Sequence, residues 1–507
     1  MSEQKRREIP IGAAIREVAE ADPDRPALTH ADASRTLTRM ELERRTNRLA
    51  RAYEQLGVRQ DDLVTIALPN GIAFFESAIA CWKLGATPQP VSAKLPVAEL
   101  EAIIELADPP IVVGATAPGR TSVPVDFEPD SQLSDEPLLP DRVAASWKAP
   151  TSGGSTGRPK IILAGGRGVT QRGTGGAFQV PYDSVVMIPG ALYHNAPFMF
   201  ASMGLFRGSH VIVTTRFDPA LTVDLIERHR VEWMWVVPTM MSRIMRLPEG
   251  ERLARDMSSL KTVWHGAAPC PPWVKEAWID WFGGDVIWEL YAGTAGQGLC
   301  VINGTDWKAH RGSVGKPVFG KMKVVSADGD GLPTGEIGEI YMLPPNRETP
   351  SYRYIGAEAK VLDGPDEGGA GVARWESIGD MGYIDDEGYV YLADRRTDLI
   401  LSGGANIYPA EIEAALDEHP NVSSCAVIGL PDEDMGQIVH AIVEPRVDVT
   451  GYAEEAFHRL EDELRSFLED KLVRYKLPRS YEFVSEPLRD DAGKVRRSAL
   501  RAERLRV

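Results

Sequence analysis

Short apolar runs recur along this chain of 507 residues, and each breaks off at proline, glycine or other small residues. Residues 63–68, 184–188, 210–214, 233–237 and 286–290 are such runs, and each has the length of a buried strand. Between them lie helix-length stretches, among them 38–56, 69–84 and 221–229. Strand, helix and strand at these lengths predict βαβ units and a mostly parallel sheet. Two runs lead straight into small residues: 261–264 into His265-Gly-Ala-Ala-Pro269, and 286–290 into Tyr291-Ala-Gly-Thr-Ala-Gly296. An open α/β sheet presents its ligand crevice at such strand ends.

One loop carries the strongest chemical signal. Thr151-Ser152-Gly153-Gly154-Ser155-Thr156-Gly157-Arg158-Pro159-Lys160 holds three glycines, four hydroxyl side chains and two cations in ten residues. Glycine lets the backbone turn through positive φ and approach a ligand closely. Successive N–H groups in such a turn form a concavity for anions. The loop is built to hold phosphate, but it is not a P-loop NTPase motif, because Arg158 and not lysine follows Gly157. Read without its context, it could also be a flexible Gly/Ser linker.

Length suggests about three domains. Lys+Arg number 56 against 73 Asp+Glu, a net charge of −17, which argues against a nucleic-acid partner or an anionic-membrane surface. Cys81, Cys270, Cys300 and Cys425 stand far apart, with no histidine at metal spacing, so reduced thiols and no protein-built metal site are expected. The charged N-terminus lacks the apolar core of a secretory signal, and no apolar run reaches the ~20 residues of a membrane span. A cytoplasmic protein without stable membrane insertion is expected.

Further expectations follow along the chain. Residues 13–21 read as a helix, and 38–56 as another stopped by Gly57. The helix at 69–84 has Asn70 as its candidate cap. Residues 121–139 read as a surface connection, and 143–147 as a strand feeding the Gly-rich loop. From 312 to 391 the chain turns rich in Gly and Asp with short strands, a β-rich subdomain. Beyond 394–396 a small α+β module follows, with helices at 410–416 and 453–472, strands at 424–428, 438–443 and 481–484, and a basic tail. His229, His419 and His458 read as surface residues on polar helices.

Taken in order, these motifs resemble the superfamily of adenylate-forming enzymes, which holds acyl-CoA synthetases, peptide-synthetase adenylation domains and luciferases. The resemblance runs from about Pro26 to Arg501. Thr151 to Lys160 looks like the family's phosphate loop, and Gly266-Ala267-Ala268-Pro269 like its adenine-side loop. Tyr291 and Thr294 resemble the pair that stacks on adenine and reaches the α-phosphate. Asp380, after Gly379, and Arg395 resemble the ribose-binding residues. Lys494, after Gly493, resembles the catalytic lysine, and Ser402-Gly403-Gly404 the loop that forms the pantetheine tunnel. Taken singly, Tyr291 could be a core tyrosine, Asp380 a plain turn and Lys494 a solvated charge. His194, in Leu192-Tyr-His-Asn-Ala-Pro197, falls where the family lines its acyl pocket near the reacting carboxylate.

The resemblance implies an α/β fold with two parts. Residues 1–394 would form a large N-terminal domain of layered α/β sheets with the β-rich subdomain. Residues 395–507 would form a small, mobile α+β C-terminal domain carrying Lys494. It implies ATP, Mg2+ and coenzyme A as co-reactants, and a carboxylic acid as substrate. His194, Phe198, Met199 and Trp264 suggest an apolar acid pocket, with Ala292 and Gly293 leaving room for a bulky acid. A carrier protein in place of coenzyme A, a non-catalytic nucleotide- or acyl-binding role, and self-association into a homo-oligomer stay open. Two positions depart from the family: Ala295 stands where a metal-side glutamate is usual, and Thr397 where the pivot is usually Asp or Lys.

Overall fold

The computed structural model describes residues 8–153, 159–171, 176, 178–345, 350–365, 372–395, 397–403, 405–446, 454–490 and 493–505. Its backbone is organised by one fourteen-stranded sheet. Six strands lie side by side and parallel: Pro26–His30, His210–Val213, Val185–Ile188, Trp233–Val236, Thr262–Gly266 and Ile287–Ala292. The apolar runs form these strands because both faces are covered. In Trp233–Val236, Trp233 and Trp235 pack on Phe200, while Met234 and Val236 join the cluster of Met241 and Ile244 on the other side.

Past Ile287–Ala292 the pairing turns antiparallel, through Leu299–Asn303, Ser313–Phe319, Val390–Arg395 and Val372–Ile384. The β-rich region is therefore present, but its strands hydrogen-bond into the parallel half and extend the same sheet. A second, parallel sheet holds Thr87–Pro90, Leu63–Ile66, Ile111–Val113 and Thr121–Val123. Part of the expected surface connection at 121–139 is thus a strand. A small antiparallel sheet joins Thr151–Gly153, Pro159–Ala164 and Tyr352–Ile355.

Other expectations are corrected. Residues 143–147 form no strand: the chain bends at 145–147 and its bonds go elsewhere, Trp147 N–H to Gly166 O and Gly168 N–H to Ala144 O. Asn70 does not cap the helix Ile72–Lys83, whose N-cap is Gly71. Its amide instead ties three segments, donating to Gly190 O and Thr214 O and accepting from Leu192 N–H at 2.9 Å. The helix Asn195–Phe206 is absent from the sequence reading because it is apolar nearly all round and has no periodic stripe. Pro238 ends a strand and also begins the helix Pro238–Met245, at a position where a missing N–H costs nothing. His419 is buried, with Nε2 3.3 Å from Glu463.

The C-terminal module pairs Val422–Asp432 with Gly436–Pro445 antiparallel, and Ser480–Phe483 with the latter in parallel. Leu460, Leu464 and Leu468, four residues apart on Glu454–Glu469, bury one helical face against Ile412, Leu416, Val427 and Val439. Within the basic tail, Arg497–Arg504 is helical, and Arg504 pairs with Glu482. No helix among the described residues is long and apolar enough to cross a membrane.

Candidate functional site

Parallel neighbours bring their carboxyl ends to one edge of the sheet. After Val185–Ile188 the chain reaches His194, and after Trp233–Val236 it reaches Thr239. Thr262–Gly266 ends in Gly266, Ala267 and Ala268, and Ile287–Ala292 ends in Tyr291 and the turn holding Thr294. His194 and Thr294, 100 positions apart in sequence (294 − 194), come to the same edge because the strands share one direction.

Gly266 permits the close approach of two strands. A Cβ there would stand 2.5 Å from Leu290 O and 3.1 Å from the Trp235 ring. Ala267 follows with φ +71, a left-handed turn that carries the chain out of the sheet. Tyr291 is buried, and its hydroxyl donates to Asp380 Oδ2 at 2.8 Å. Asp380 lies in register opposite Arg395 on the neighbouring strand. Two residues before Asp380, Ile378 closes over Gly293, 3.3 Å from where a Cβ would be. Tyr291, Gly293, Thr294, Asp380 and the Arg395 backbone thus form one corner.

The Gly-rich loop opens from a second direction. Thr151 begins the strand Thr151–Gly153, where its hydroxyl accepts from Gln89 Nε2 at 3.2 Å; Ser152 and Gly153 complete the strand. Gly154, Ser155 and Thr156 lie outside the described residues. Lys160 is on Pro159–Ala164, with its ammonium 4.2 Å from the centre of the Tyr354 ring.

His194 is the N-cap residue of Asn195–Phe206, and its ring packs on Tyr193 at 4.1 Å. Phe198 does not line the opening. It is fully buried, stacked on Trp82 and Trp147. Strand alternation could have found a better wall. Trp235, Trp264, Gly266, Trp288 and Leu290 share one face of three strands, with Trp264 and Trp288 stacked at 5.4 Å. Trp288, Leu290, Met199 and Met203 are only partly buried along it.

Lys494 arrives from the C-terminal module. Asp490 folds its loop: Asp490 Oδ1 accepts from Lys494 N–H at 2.9 Å, and Asp490 N–H donates to Lys494 O at 3.0 Å. Gly493, at φ +73, sits so close to Thr239 that a Cβ would stand 2.6 Å from its hydroxyl. The lysine loop therefore lies on the same edge of the sheet as the corner described above. Arg246 Nη1, on the large domain, donates to Ser423 O of the module at 2.6 Å. Gly403 lies farther along the module, at φ +56, with its N–H bonded to Met435 O; Gly404 falls outside the described residues.

Ala295 is buried against Ile162 and Tyr352. Sequence reasoning missed the polar groups around it. Tyr352 donates to Glu376 Oε2 at 2.5 Å, and Gln297 is buried beside Gly293. Glu376 and Gln297 belong to no motif, so only their placement reveals them. Another group missed is Lys148, buried and donating to Asn195 Oδ1 beside His194; burial pushes its ammonium down to about 7.

The model of AMP-binding enzymes matches residues 15–346, and that of the AMP-binding enzyme C-terminal domain matches 411–494. A feruloyl-CoA synthase from an Amycolatopsis species is 31% identical over 502 residues, covering 95% of this chain and 96% of the relative. A fatty acid–[acyl-carrier-protein] ligase, ScoC, from Streptomyces coeruleorubidus is 29% identical, covering 95% and 94%. Among solved structures, o-succinylbenzoate coenzyme A synthetase from Bacillus subtilis, in complex with ATP and magnesium ion, superposes with a TM-score of 0.74. It is 25% identical, with 97% of this chain and 100% of that chain covered. A match of this extent, over both the sheet edge and the lysine-bearing module, makes the chain a member of the AMP-binding enzyme family.

Proposed function

We propose that this protein is an acid–thiol ligase that activates a bulky, hydrophobic carboxylic acid with ATP and passes the acyl group to coenzyme A. In the first step a carboxylate oxygen attacks the α-phosphorus of ATP, and the bond to pyrophosphate breaks. In the second, the thiol sulfur attacks the acyl carbon, its proton is lost, and AMP leaves. Neither step needs a protein nucleophile. The first brings anions together, so its barrier is electrostatic and positional.

The roles proposed for the residues follow from that need. Thr151 to Thr156 and Lys160 hold the β- and γ-phosphates. Gly266, Ala267, Ala268 and Tyr291 hold adenine, and Asp380 and Arg395 hold the ribose hydroxyls. Thr294 and Lys494 meet the α-phosphate and the incoming carboxylate, with His194 at the mouth of the acid pocket. Gly403 and Gly404 line the path of the pantetheine arm once the C-terminal module, residues 395–507, has rotated against residues 1–394.

Magnesium supplies positive charge across the phosphate oxygens. Among the described residues no group of three or more His, Cys, Asp or Glu could hold a metal ion, so phosphate and water must complete its shell. The Glu376 carboxylate and the Gln297 amide oxygen are hard oxygen donors at the Ala295 corner, and they fit such an ion.

The observation that supports this reading is that the Tyr291–Asp380 corner and the Gly493 turn against Thr239 both lie at the carboxyl edge of the parallel strands. The half-buried wall of Trp288, Leu290, Met199 and Met203 supports an aromatic or branched acid. Pyrophosphate release, screened over carboxylic acids with and without coenzyme A, tests it. The expected result is release with bulky hydrophobic acids and a coenzyme A thioester detected by mass. No release with any acid would leave a non-catalytic binding protein instead.

Transfer to a carrier protein is the second reading, favoured by the similarity to an acyl-carrier-protein ligase over 95% of the chain. Acylation of a carrier's phosphopantetheine without any coenzyme A thioester would select it. The cellular compartment proposed is the cytoplasm, where ATP and reduced thiols are supplied.

A further inference from the structure

Ala295 places a methyl group where the family usually carries a metal-side glutamate, yet a carboxylate enters the same corner from another strand. On Val372–Ile384, Glu376 lies in register with Met342, which packs with Ile378 and Tyr291 in one apolar cluster, so Glu376 and Ile378 face the same side. Asp380 meets the Tyr291 hydroxyl, and Ile378 covers Gly293. The next step back along that face is Glu376, which accepts from Tyr352 Oη at 2.5 Å. Tyr352 in turn packs on Ala295 and Ile162. Its neighbour Tyr354, 4.6 Å away ring to ring, carries the Lys160 ammonium on its face. Glu376 and Lys160 thus flank one tyrosine pair, on a strand that pairs with Pro159–Ala164 just after the Gly-rich loop.

A second observation points the same way. Gln297, 1% exposed, has no hydrogen-bond partner for Oε1 among the described residues. That oxygen lies 3.0 Å from where a Cβ would stand on Gly293, inside the corner. A buried acceptor without a donor is costly, and a metal-bound water would supply one. Among the described residues the other Glu376 oxygen has only a 3.9 Å approach to Arg374 Nε, an ion pair too long to anchor it.

We propose that Glu376, seated by Tyr352, supplies the carboxylate ligand of the magnesium ion that accompanies ATP, in place of a glutamate at position 295. Magnesium takes one or two carboxylates and fills its octahedron with phosphate and water, which this corner allows. The inference rests on the ATP-binding reading above.

Manganese substituted for magnesium gives a direct test. Free Mn2+ is followed by paramagnetic resonance while ATP is titrated onto the full-length protein, and metal-free ATP binding is measured in chelator. Glu376→Gln should weaken Mn2+ retention in the ternary complex roughly 10-fold or more, and Tyr352→Phe, which unseats the carboxylate, about 10-fold, the scale for losing a supporting partner. Metal-free ATP affinity should stay within about 2-fold of the parent in both, since neither residue touches adenine or ribose. Adding Ala295→Glu to Glu376→Gln should restore Mn2+ retention. Unchanged retention in Glu376→Gln overturns the inference; if that variant does not fold, unchanged retention in Tyr352→Phe does so. A parent protein that binds no ATP at all would instead overturn the functional reading.

Discussion

Asp380 is the residue whose chemistry is most exposed to a single change. Its carboxylate already accepts from the Tyr291 hydroxyl at 2.8 Å, which fixes one oxygen of the group proposed to hold the ribose hydroxyls. Asparagine keeps the size but loses the charge and one acceptor. Hydrogen bonds to charged groups contribute about 1.5–3 kcal/mol, so Asp380→Asn should weaken ATP binding by roughly 10- to 100-fold. Equilibrium titration of ATP checks this, with thermal unfolding of the free protein as control. Tyr291→Phe should cost less, because the ring that stacks on adenine remains. The motif around Asp380 was legible in the sequence, since Gly379-Asp380 falls in order with Tyr291 and Lys494. Its partner was not: a hydroxyl 89 positions away becomes a neighbour only through the antiparallel turn of the sheet.

At the scale of elements, strands were legible and their surroundings less so. Trp-Met-Trp-Val at 233–236 reads as a doubly buried strand on composition alone, and it is one. Asn195–Phe206 could not be read as a helix, because burial on most of its sides erases the amphipathic period that a helix reading depends on. Residues 143–147 have strand composition, but their N–H and C=O groups meet loops, and no ladder forms. Gly403 is the element-scale site for a prediction. It turns at φ +56 above Met435, and a Cβ would stand 2.5 Å from the Met435 methyl. That methyl is the end of a flexible chain and can move, while the left-handed backbone costs a non-glycine residue about 1–2 kcal/mol. Gly403→Leu should therefore lower module stability modestly and fill the thiol path. Acyl-CoA formation from supplied acyl-adenylate should fall by roughly 10-fold or more, with pyrophosphate release from the first step largely kept. Equal loss in both assays would mean that the loop serves the nucleotide and not the thiol.

For the whole molecule, acid should act through buried imidazoles. His210 bonds Thr29 Oγ1 at 2.7 Å between two strands of the large sheet, and burial, with His229 and Arg25 nearby, pushes its pKa down to about 4. An unfolded histidine titrates near 6.5, so the unfolded chain takes up the proton first. The stability contributed by neutral His210 is complete above that value and is lost as pH falls through about 4. By pH 5 the loss amounts to about 2 kcal/mol. Thermal unfolding of His210→Asn should therefore lose less between pH 7 and pH 5 than the parent does; equal losses would remove His210 from the account.

The two parts of the chain meet through Arg246 on one side and Gly493 against Thr239 on the other, and this contact carries Lys494 to the sheet edge. The lysine is proposed to act only while carboxylate and α-phosphate are driven together, and to be withdrawn before the thiol attacks. The most direct test is Lys494→Ala measured in both half-reactions. The account predicts that pyrophosphate release falls by about 10²–10³-fold, the scale for one preorganised transition-state charge, with ATP binding unchanged. It also predicts that thioester formation from supplied acyl-adenylate survives. Equal damage to both half-reactions would contradict it.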